Sequence, residues 1–458
     1  MNLTKAIETL FRRYLPSPFT IAILLSLLTI VLALVFTENK GEDFYLWTIL
    51  SYWEEGIWST DLLVFAYQMM LILVLGHVLV LSRPMNALIS RITNLVTSTQ
   101  NAVVLVSICT MLVAFFNWGL GLIFGAILAR KIGEHAQKNN IAINYPLVGA
   151  AGYVGLMIWH GGISGSAPLK VAESNHLRNL MQGISDDAVL EQLPELVSTY
   201  STIFSWWNLS LFLIVLISIP LALRFLAKHT SNTTIDLPTY SFQSEQETTR
   251  NGAEKLDYSR GLAYFFGLLI LLAFSYQYWS MLLDAVITPN MLNFFMIGLA
   301  IVLHGSFKSF LNAVDEAIKG TSGILIQFPL YFGIMGIMKS SGMVGQISDF
   351  FAATATETTL PVFTFFSAGL VNIFVPSGGG QWAIQGPVII ESALKLGVPL
   401  PKAIMALAYG DQITNMLQPF WALPLLGITK LKAKEILPYT LVLMVLGTFI
   451  YILGLLIF

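Results

Sequence analysis

The sequence predicts an all-α polytopic membrane protein of two inverted repeats. Each repeat carries a re-entrant helical hairpin and a broken transmembrane helix, for about nine crossings with the N-terminus cytoplasmic. Three observations lead there. Of 458 residues, 55% are hydrophobic and 11% charged, whereas a soluble domain carries roughly 25% charged residues. The apolar residues form long runs, among them Phe19 to Phe36, Leu62 to Leu81, Leu209 to Leu223, Gly261 to Leu283 and Tyr439 to Phe458. Several reach the ~18–20 residues that span a hydrocarbon core. Finally, a set of polar landmarks recurs in the same order in both halves of the chain.

The first run follows Lys5, Arg12 and Arg13, as in a signal peptide. It is long, however, and no small-residue cleavage site follows, so it reads as a first span that stays. Basic loops stay cytoplasmic. With the N-terminus inside, segments 1–14, 83–100, 130–144, 224–260, 304–320 and 428–435 hold 18 of the 24 Lys and Arg residues. The outside loops keep Lys40, Lys170, Arg178, Lys339, Lys395 and Lys402. The net charge of -2 gives no reason to expect nucleic acid as a partner. The single cysteine, Cys109, excludes an intrachain disulfide.

In chain order, the first repeat (1–227) has spans 18–36 and 61–82, a hairpin, a broken span 145–169 and a span 203–226. The hairpin, 101–129, starts and ends beside basic segments and turns at Asn117-Trp118-Gly119-Leu120-Gly121. Two crossings would need ~40 residues plus a turn, and arms of about fourteen residues reach only ~21 Å, so the segment enters and leaves by the cytoplasmic face. Residues 228–260 are polar and aperiodic, a cytoplasmic linker. The segment 261–287, with its span 261–283, carries the chain across. The second repeat (288–458) has spans 288–306 and 321–338, a hairpin 359–397 with the tip VPSGGGQW, a broken span 403–427 and a last span 436–458. Stretches 41–60 and 308–320 are amphipathic and lie along the interface in equivalent places.

The repeat shows in spacing. Tyr153 to Pro168 (YVGLMIWHGGISGSAP) and Tyr409 to Pro424 (YGDQITNMLQPFWALP) both run fifteen positions from Tyr to Pro. The hairpin Asn precedes its Tyr by 36 residues (Asn117) or 37 (Asn372). Gln68 precedes Asn117 by 49 residues, and Gln327 precedes Asn372 by 45. Hairpins and broken helices facing each other from opposite sides are the sequence signature of alternating access.

Irregular backbone at membrane depth is tolerated only where it is buried in protein or lines a cavity. A broken helix offers N–H groups to a carboxylate and carbonyls to a cation. Candidate substrate-binding residues are therefore Asn117, Gly119, Ser164, Gly165, Ser166, Asn372, Ser377, Gly378, Gly379, Gln381 and Gln418. Thr414 and Asn415 offer oxygens suited to a hard cation. Asp411 is the one acid well inside a proposed span, where a carboxylate costs ~2.5–3.5 kcal/mol on insertion scales. It joins Thr414 and Asn415 as a candidate for cation or proton coupling. His160, beside a Gly pair, suits either a structural hydrogen bond or a proton relay. Trp118, Trp382 and Trp421, with Phe420, either wall an apolar slot or pack. No GxxxxGK[ST] loop points to ATP drive, and no HExxH or paired His and Cys ligands point to a metal.

Taken together, NWGLGLIFGA at 117–126, GGISGSAPL at 161–169, QFPLYFGI at 327–334, VPSGGGQWAIQGP at 375–387 and AYGDQITNMLQPFWALP at 408–424 resemble the bacterial short-chain fatty acid transporter family, the acetoacetate and butyrate uptake permeases. The resemblance runs over essentially the whole chain. It implies a multi-pass protein of the bacterial inner membrane that imports short monocarboxylates. It also implies membership of an ion-transporter superfamily whose better-known branches carry citrate or dicarboxylates with Na⁺. Those relatives place the site at hairpin tips and broken helices and usually form dimers. The matching positions are Asn117, Ser164, Ser166, Asn372, Ser377, Thr414 and Asn415. One departure stands out: the Ser-Asn-Thr tips of the dicarboxylate branch are replaced by NWG and PSGGG.

The expected function is thus import of acetate, butyrate or acetoacetate by symport with Na⁺ or H⁺, without a cofactor. The expected partners are a short-chain carboxylate, the lipid bilayer and a second copy of the chain. Two other classes fit less of the pattern. An ion antiporter of the same architecture would exchange Na⁺ for protons and ignore butyrate. A membrane-embedded enzyme would need a nucleophile and base at depth, and only His160 near Ser164 or Ser166 offers that.

Overall fold

The computed structural model describes residues 18–38, 44–182, 187–232, 237, 252–284, 286–343, 346, 350, 353–374 and 378–458. Ser377 and most of the 228–260 linker lie outside the described residues. The first half comprises α1 (Pro18–Phe36), α2 (Tyr45–Ile57), α3 (Thr60–Val80), α4 (Arg83–Thr93), α5 (Thr99–Phe116), α6 (Trp118–Lys138), α7 (Tyr145–Ala151), α8 (Ser166–Val171), α9 (His176–Met181) and α10 (Trp206–His229). After α11 (Arg260–Leu283), the second half comprises α12 (Pro289–His304), α13 (Phe307–Ala317), α14 (Ser322–Ser340), α15 (Leu360–Phe374), α16 (Gly378–Leu396), α17 (Leu400–Thr414), α18 (Pro419–Thr429) and α19 (Ala433–Ile457). The fold is all-helical and polytopic. By length and composition six helices among the described residues can cross a membrane, or seven if α12 and α13, bent by 120° at Gly305, are taken as one span.

Each break has a local chemical cause. Asn117 sits in extended backbone (φ −150°, ψ 123°), ends α5 and caps α6, its Oδ1 accepting the Leu120 N–H at 2.7 Å. Asn144 caps α7 and Thr288 caps α12 in the same way. Gly305 leaves α12 at φ 68°, a left-handed value that glycine adopts without strain. Between α7 and α8 only two short 3₁₀ turns form, Val154–Met157 and Trp159–Gly161, and one more, Asn415–Leu417, separates α17 from α18.

The two hairpins are antiparallel helix pairs. Methyl groups at Gly121 and Gly125 would lie 2.4 Å from Ala114 Cβ and 2.9 Å from Thr110 Cγ2, so α5 and α6 run in contact away from Asn117. In the second hairpin, Gln381 Nε2 donates to the Ala368 carbonyl at 2.7 Å and Gln385 Nε2 to Ser367 Oγ at 2.9 Å. The arms of the first hairpin are longer than their sequence suggests, 18 and 21 residues, or ~27 and ~31 Å. The apolar stretch ends at Arg130, but the helix does not. Arg130 is buried with its Nε 3.0 Å from Glu134 Oε1 and its Nη1 3.3 Å from the Thr429 carbonyl, so α6 continues through the charged segment. The length argument for re-entrance therefore does not hold for this hairpin; its paired-arm geometry is what the structure retains.

The halves interlock. Gly56 of α2 and Gly336 of α14 let the two backbones meet, since a methyl at Gly56 would lie 2.4 Å from the Phe332 carbonyl oxygen. In the reciprocal pairing α13 packs on α3. By contrast α11 stands at the edge, with Tyr276 92% exposed and Phe265 and Leu272 also open, an apolar face suited to lipid.

Candidate functional site

Four interrupted segments converge in the interior: the α5–α6 tip, the 153–168 break, the start of α16 and the α17–α18 break. The first two are tied together by the backbone. Ser164 Oγ accepts the Trp118 N–H at 2.8 Å, and the Ile163 N–H reaches the Phe115 carbonyl at 2.7 Å. Asn117 gives its amide hydrogen to Met296 Sδ at 3.3 Å, and Gly119 presses on α3, where a methyl would lie 2.8 Å from Leu73 Cα. Gly165 closes the loop against the His160 carbonyl oxygen, only 2.0 Å from where its Cβ would be. Asn117, Gly119, Ser164 and Gly165 thus position the tip.

The other two segments meet around Asn372. Its Nδ2 lies 2.8 Å from the Asp411 carbonyl, 2.9 Å from Thr414 Oγ1 and 2.8 Å from Asn415 Oδ1, while Gln418 Nε2 donates to the Asn372 carbonyl. Asn372 Oδ1 and Gln381 Oε1 are buried with no hydrogen-bond partner among the described residues. Across the halves, Tyr153 Oη reaches the carbonyls of Asn415 at 2.9 Å and Gln418 at 3.1 Å.

At the centre His160 Nδ1 hydrogen-bonds Asp411 Oδ2, both side chains closed to solvent. His160 Nε2 accepts the Ala167 N–H at 3.0 Å. The Gln412 Oε1 accepts the backbone N–H groups of His160 at 3.0 Å and Gly161 at 3.1 Å. A methyl at Gly378, the first residue of α16, would lie 2.8 Å from His160 Cε1 and 2.6 Å from Trp159 Cη2. The second hairpin therefore rests directly on the imidazole.

Beside this pair lies a cavity of about 20 Å³ walled by Met69, Trp118, Leu156, Trp159, Phe328 and Trp421, with Ser166, Gly378, Gly379 and Asn415 as its polar margin. Trp118 stands between the other two indoles, its ring centroid 5.8 Å from Trp159 and 5.1 Å from Trp421. That volume admits roughly one water-sized group, so anything larger fits only if the walls part. Of the residues expected from sequence, Ser166, Gly378, Gly379 and Asn415 reach the cavity, and of the tryptophans expected to wall a slot or to pack, Trp118 and Trp421 line it. Trp382 does not: it is buried away from the cavity, donating its Nε1–H to His176 Nε2 at 2.9 Å. Ser377 and the side chain of Phe420 lie outside the described residues.

Trp159 and the direct His160–Asp411 contact are not expected from sequence. A signal for the contact exists: apart from their leading tyrosines, the two matched segments Tyr153–Pro168 and Tyr409–Pro424 hold one titratable residue each, an imidazole and a carboxylate.

A family described as short chain fatty acid transporter matches residues 1–458, the whole chain. The chain belongs to the short chain fatty acid transporter family. A relative named for short-chain fatty acid transport in Haemophilus influenzae (strain ATCC 51907 / DSM 11121 / KW20 / Rd) is 35% identical over 99% of both chains. One of the same description in Escherichia coli (strain K12) is 35% identical over 97% of both. The family and these relatives are transporters, not enzymes. Two solved structures share the fold. The YdaH transporter of Alcanivorax borkumensis, reported to have an unusual topology, superposes with TM-score 0.55 at 16% identity, covering 96% of this chain and 97% of that one. MtrF of Neisseria gonorrhoeae, described within a class of antimetabolite efflux pumps, superposes with TM-score 0.53 at 15% identity, covering 99% and 97%. At such identities the likeness concerns the fold alone.

Proposed function

We propose that this short chain fatty acid transporter family member imports acetate, butyrate or acetoacetate by cation- or proton-coupled symport, and that the tryptophan-walled cavity is the substrate site. The observation that carries the reading is the cavity's two-sided chemistry. Trp118, Trp159 and Trp421 offer a short apolar wall, and Ser166 offers a hydroxyl beside Gly378 and Gly379 at the start of α16. The first turn of a helix has N–H groups without intrahelical partners and a positive end of the dipole, both suited to a carboxylate. A short alkyl chain against indole and a carboxylate at a helix start account for both sides at once. Asp411, Thr414 and Asn415 form the coupling side, and alternating access follows when the hairpins move relative to the cavity.

Proteoliposomes loaded with unlabelled butyrate, compared with protein-free liposomes, test it. Counterflow of labelled butyrate that acetate and acetoacetate compete away, and succinate does not, is the expected result. Counterflow absent for every short monocarboxylate contradicts the reading.

A further inference from the structure

The hydrogen-bond pattern around His160 fixes where a proton can go. The Ala167 N–H can only donate, so His160 Nε2 must present a lone pair and the imidazole hydrogen must sit on Nδ1. Nδ1–H then donates to Asp411 Oδ2. A second imidazole proton would face the Ala167 N–H head-on, so this arrangement accommodates the Nδ1–H tautomer. Asp411 Oδ1, by contrast, is buried and has no hydrogen-bond partner among the described residues. The pair therefore carries either one negative charge or, with a proton on Oδ1, none.

We propose that Asp411 Oδ1 binds a single coupling proton, and that His160, held in its Nδ1–H form, keeps that proton on the carboxylate. Loading forms an O–H bond at Oδ1, with the proton drawn from water on one side of the membrane and released to the other. The link to substrate rests on the reading of the cavity given above. Gly378 and Gly379 line that cavity, and Gly378 also packs on His160. A substrate carboxylate and an ionised Asp411 would thus place two buried negative charges beside one helix start, and like charges at such a site do not both ionise. Binding the carboxylate then requires proton uptake, and the loaded carrier moves one anion with one proton, electroneutrally.

Other titratable groups on the packed elements are engaged or distant. α5 brings only Cys109, and α15 brings none. α8 brings Lys170, paired with Glu173, and α16 brings Glu391, paired with Lys395. Lys402 of α17 and Lys434 and Glu435 of α19 sit in first turns, while Arg224, Lys228 and His229 sit at the far end of α10. Tyr409 donates to Asn208 Oδ1 at 2.7 Å and Tyr451 to the Met157 carbonyl at 2.8 Å, while Tyr153 serves the Asn415 and Gln418 carbonyls. Tyr439 accepts from Asn144 Nδ2 at 3.0 Å. No three His, Cys, Asp or Glu side chains converge among the described residues.

Infrared titration of the purified full-length protein in lipid nanodiscs tests this without substrate. The expected result is a protonated-carboxyl band that titrates in the wild type, is lost in Asp411→Asn, and persists to higher pH in His160→Met, which removes the donor favouring the ionised form. Melting temperatures in NaCl and KCl should be equal. A wild type with no titrating carboxyl band overturns the proposal, as does stabilisation by NaCl over KCl that Asp411→Asn removes. If Asp411→Asn fails to fold, the wild-type and His160→Met titrations decide. A titrating band in protein that shows no butyrate counterflow supports the proton site while sinking the substrate reading.

Discussion

At the scale of single residues, the interior separates groups that hold the breaks open from groups that face the cavity. Asn117 Oδ1 and Ser164 Oγ each accept a backbone N–H of the first hairpin. Gly378 has the opposite character: it exists to let a helix start touch two rings. In Gly378→Ala the new methyl would sit 2.6 Å from Trp159 and 2.8 Å from His160. Overpacking of this kind costs about 1–3 kcal/mol, and 1.4 kcal/mol is a factor of about ten. Initial butyrate uptake should fall about tenfold or more in Gly378→Ala proteoliposomes at equal protein, whereas Gly427→Ala, where nothing lies near the added methyl, should be neutral. Sequence made the candidate residues legible because Gly, Ser, Asn and Asp are anomalous in apolar runs. It could not assign their partners. His160 and Asp411 are 251 positions apart, and neither spacing nor periodicity links an imidazole in one half to a carboxylate in the other.

At the scale of elements, apolar runs and break residues locate most helices within a few positions, because their length is set by the bilayer and their ends by caps. The exceptions are instructive. Arg130 reads as a helix boundary, yet its charge is matched by Glu134 one turn on and α6 runs to Lys138. The small helix α9, too short to show as an apolar run, clasps the second hairpin through the Trp382–His176 hydrogen bond. Burial, with the nearby Lys170 ammonium adding to it, lowers the His176 pKa to about 3 from its ordinary 6.5. Between those values the unfolded chain binds more protons than the folded one, so stability is full above pH 6.5 and declines as pH falls toward 3. Thermal unfolding in detergent should show that decline for the wild type. His176→Gln keeps an acceptor for Trp382 but does not titrate, and should flatten this part of the profile.

At the scale of the whole molecule, the two halves share one order of elements, helix, short helix, long helix, hairpin, broken segment, helix, to which the first half adds α4 and α9. α2 packs on α14 of the other half and α13 on α3, so neither half buries its own surface alone. The orientation expected from the bias of Lys and Arg, with the N-terminus and the 228–260 segment cytoplasmic, is open to a direct test. With the single native cysteine removed as Cys109→Ser, a cysteine replacing the exposed Glu254 should react with an impermeant maleimide only after the membrane is opened. One replacing the exposed Glu357 should react in intact spheroplasts. The reverse pattern would invert the topology and with it the direction assigned to transport.

The central claim is that a carboxylate and a proton are taken together at one buried place. Calorimetric titration of the purified transporter with butyrate, at one pH in two buffers of different ionisation enthalpy, counts protons exchanged on binding. Uptake close to one proton per butyrate in the wild type, falling to none in Asp411→Asn, is the predicted result. Binding with no proton uptake in the wild type, or binding that appears only when Na⁺ is present, would contradict the account.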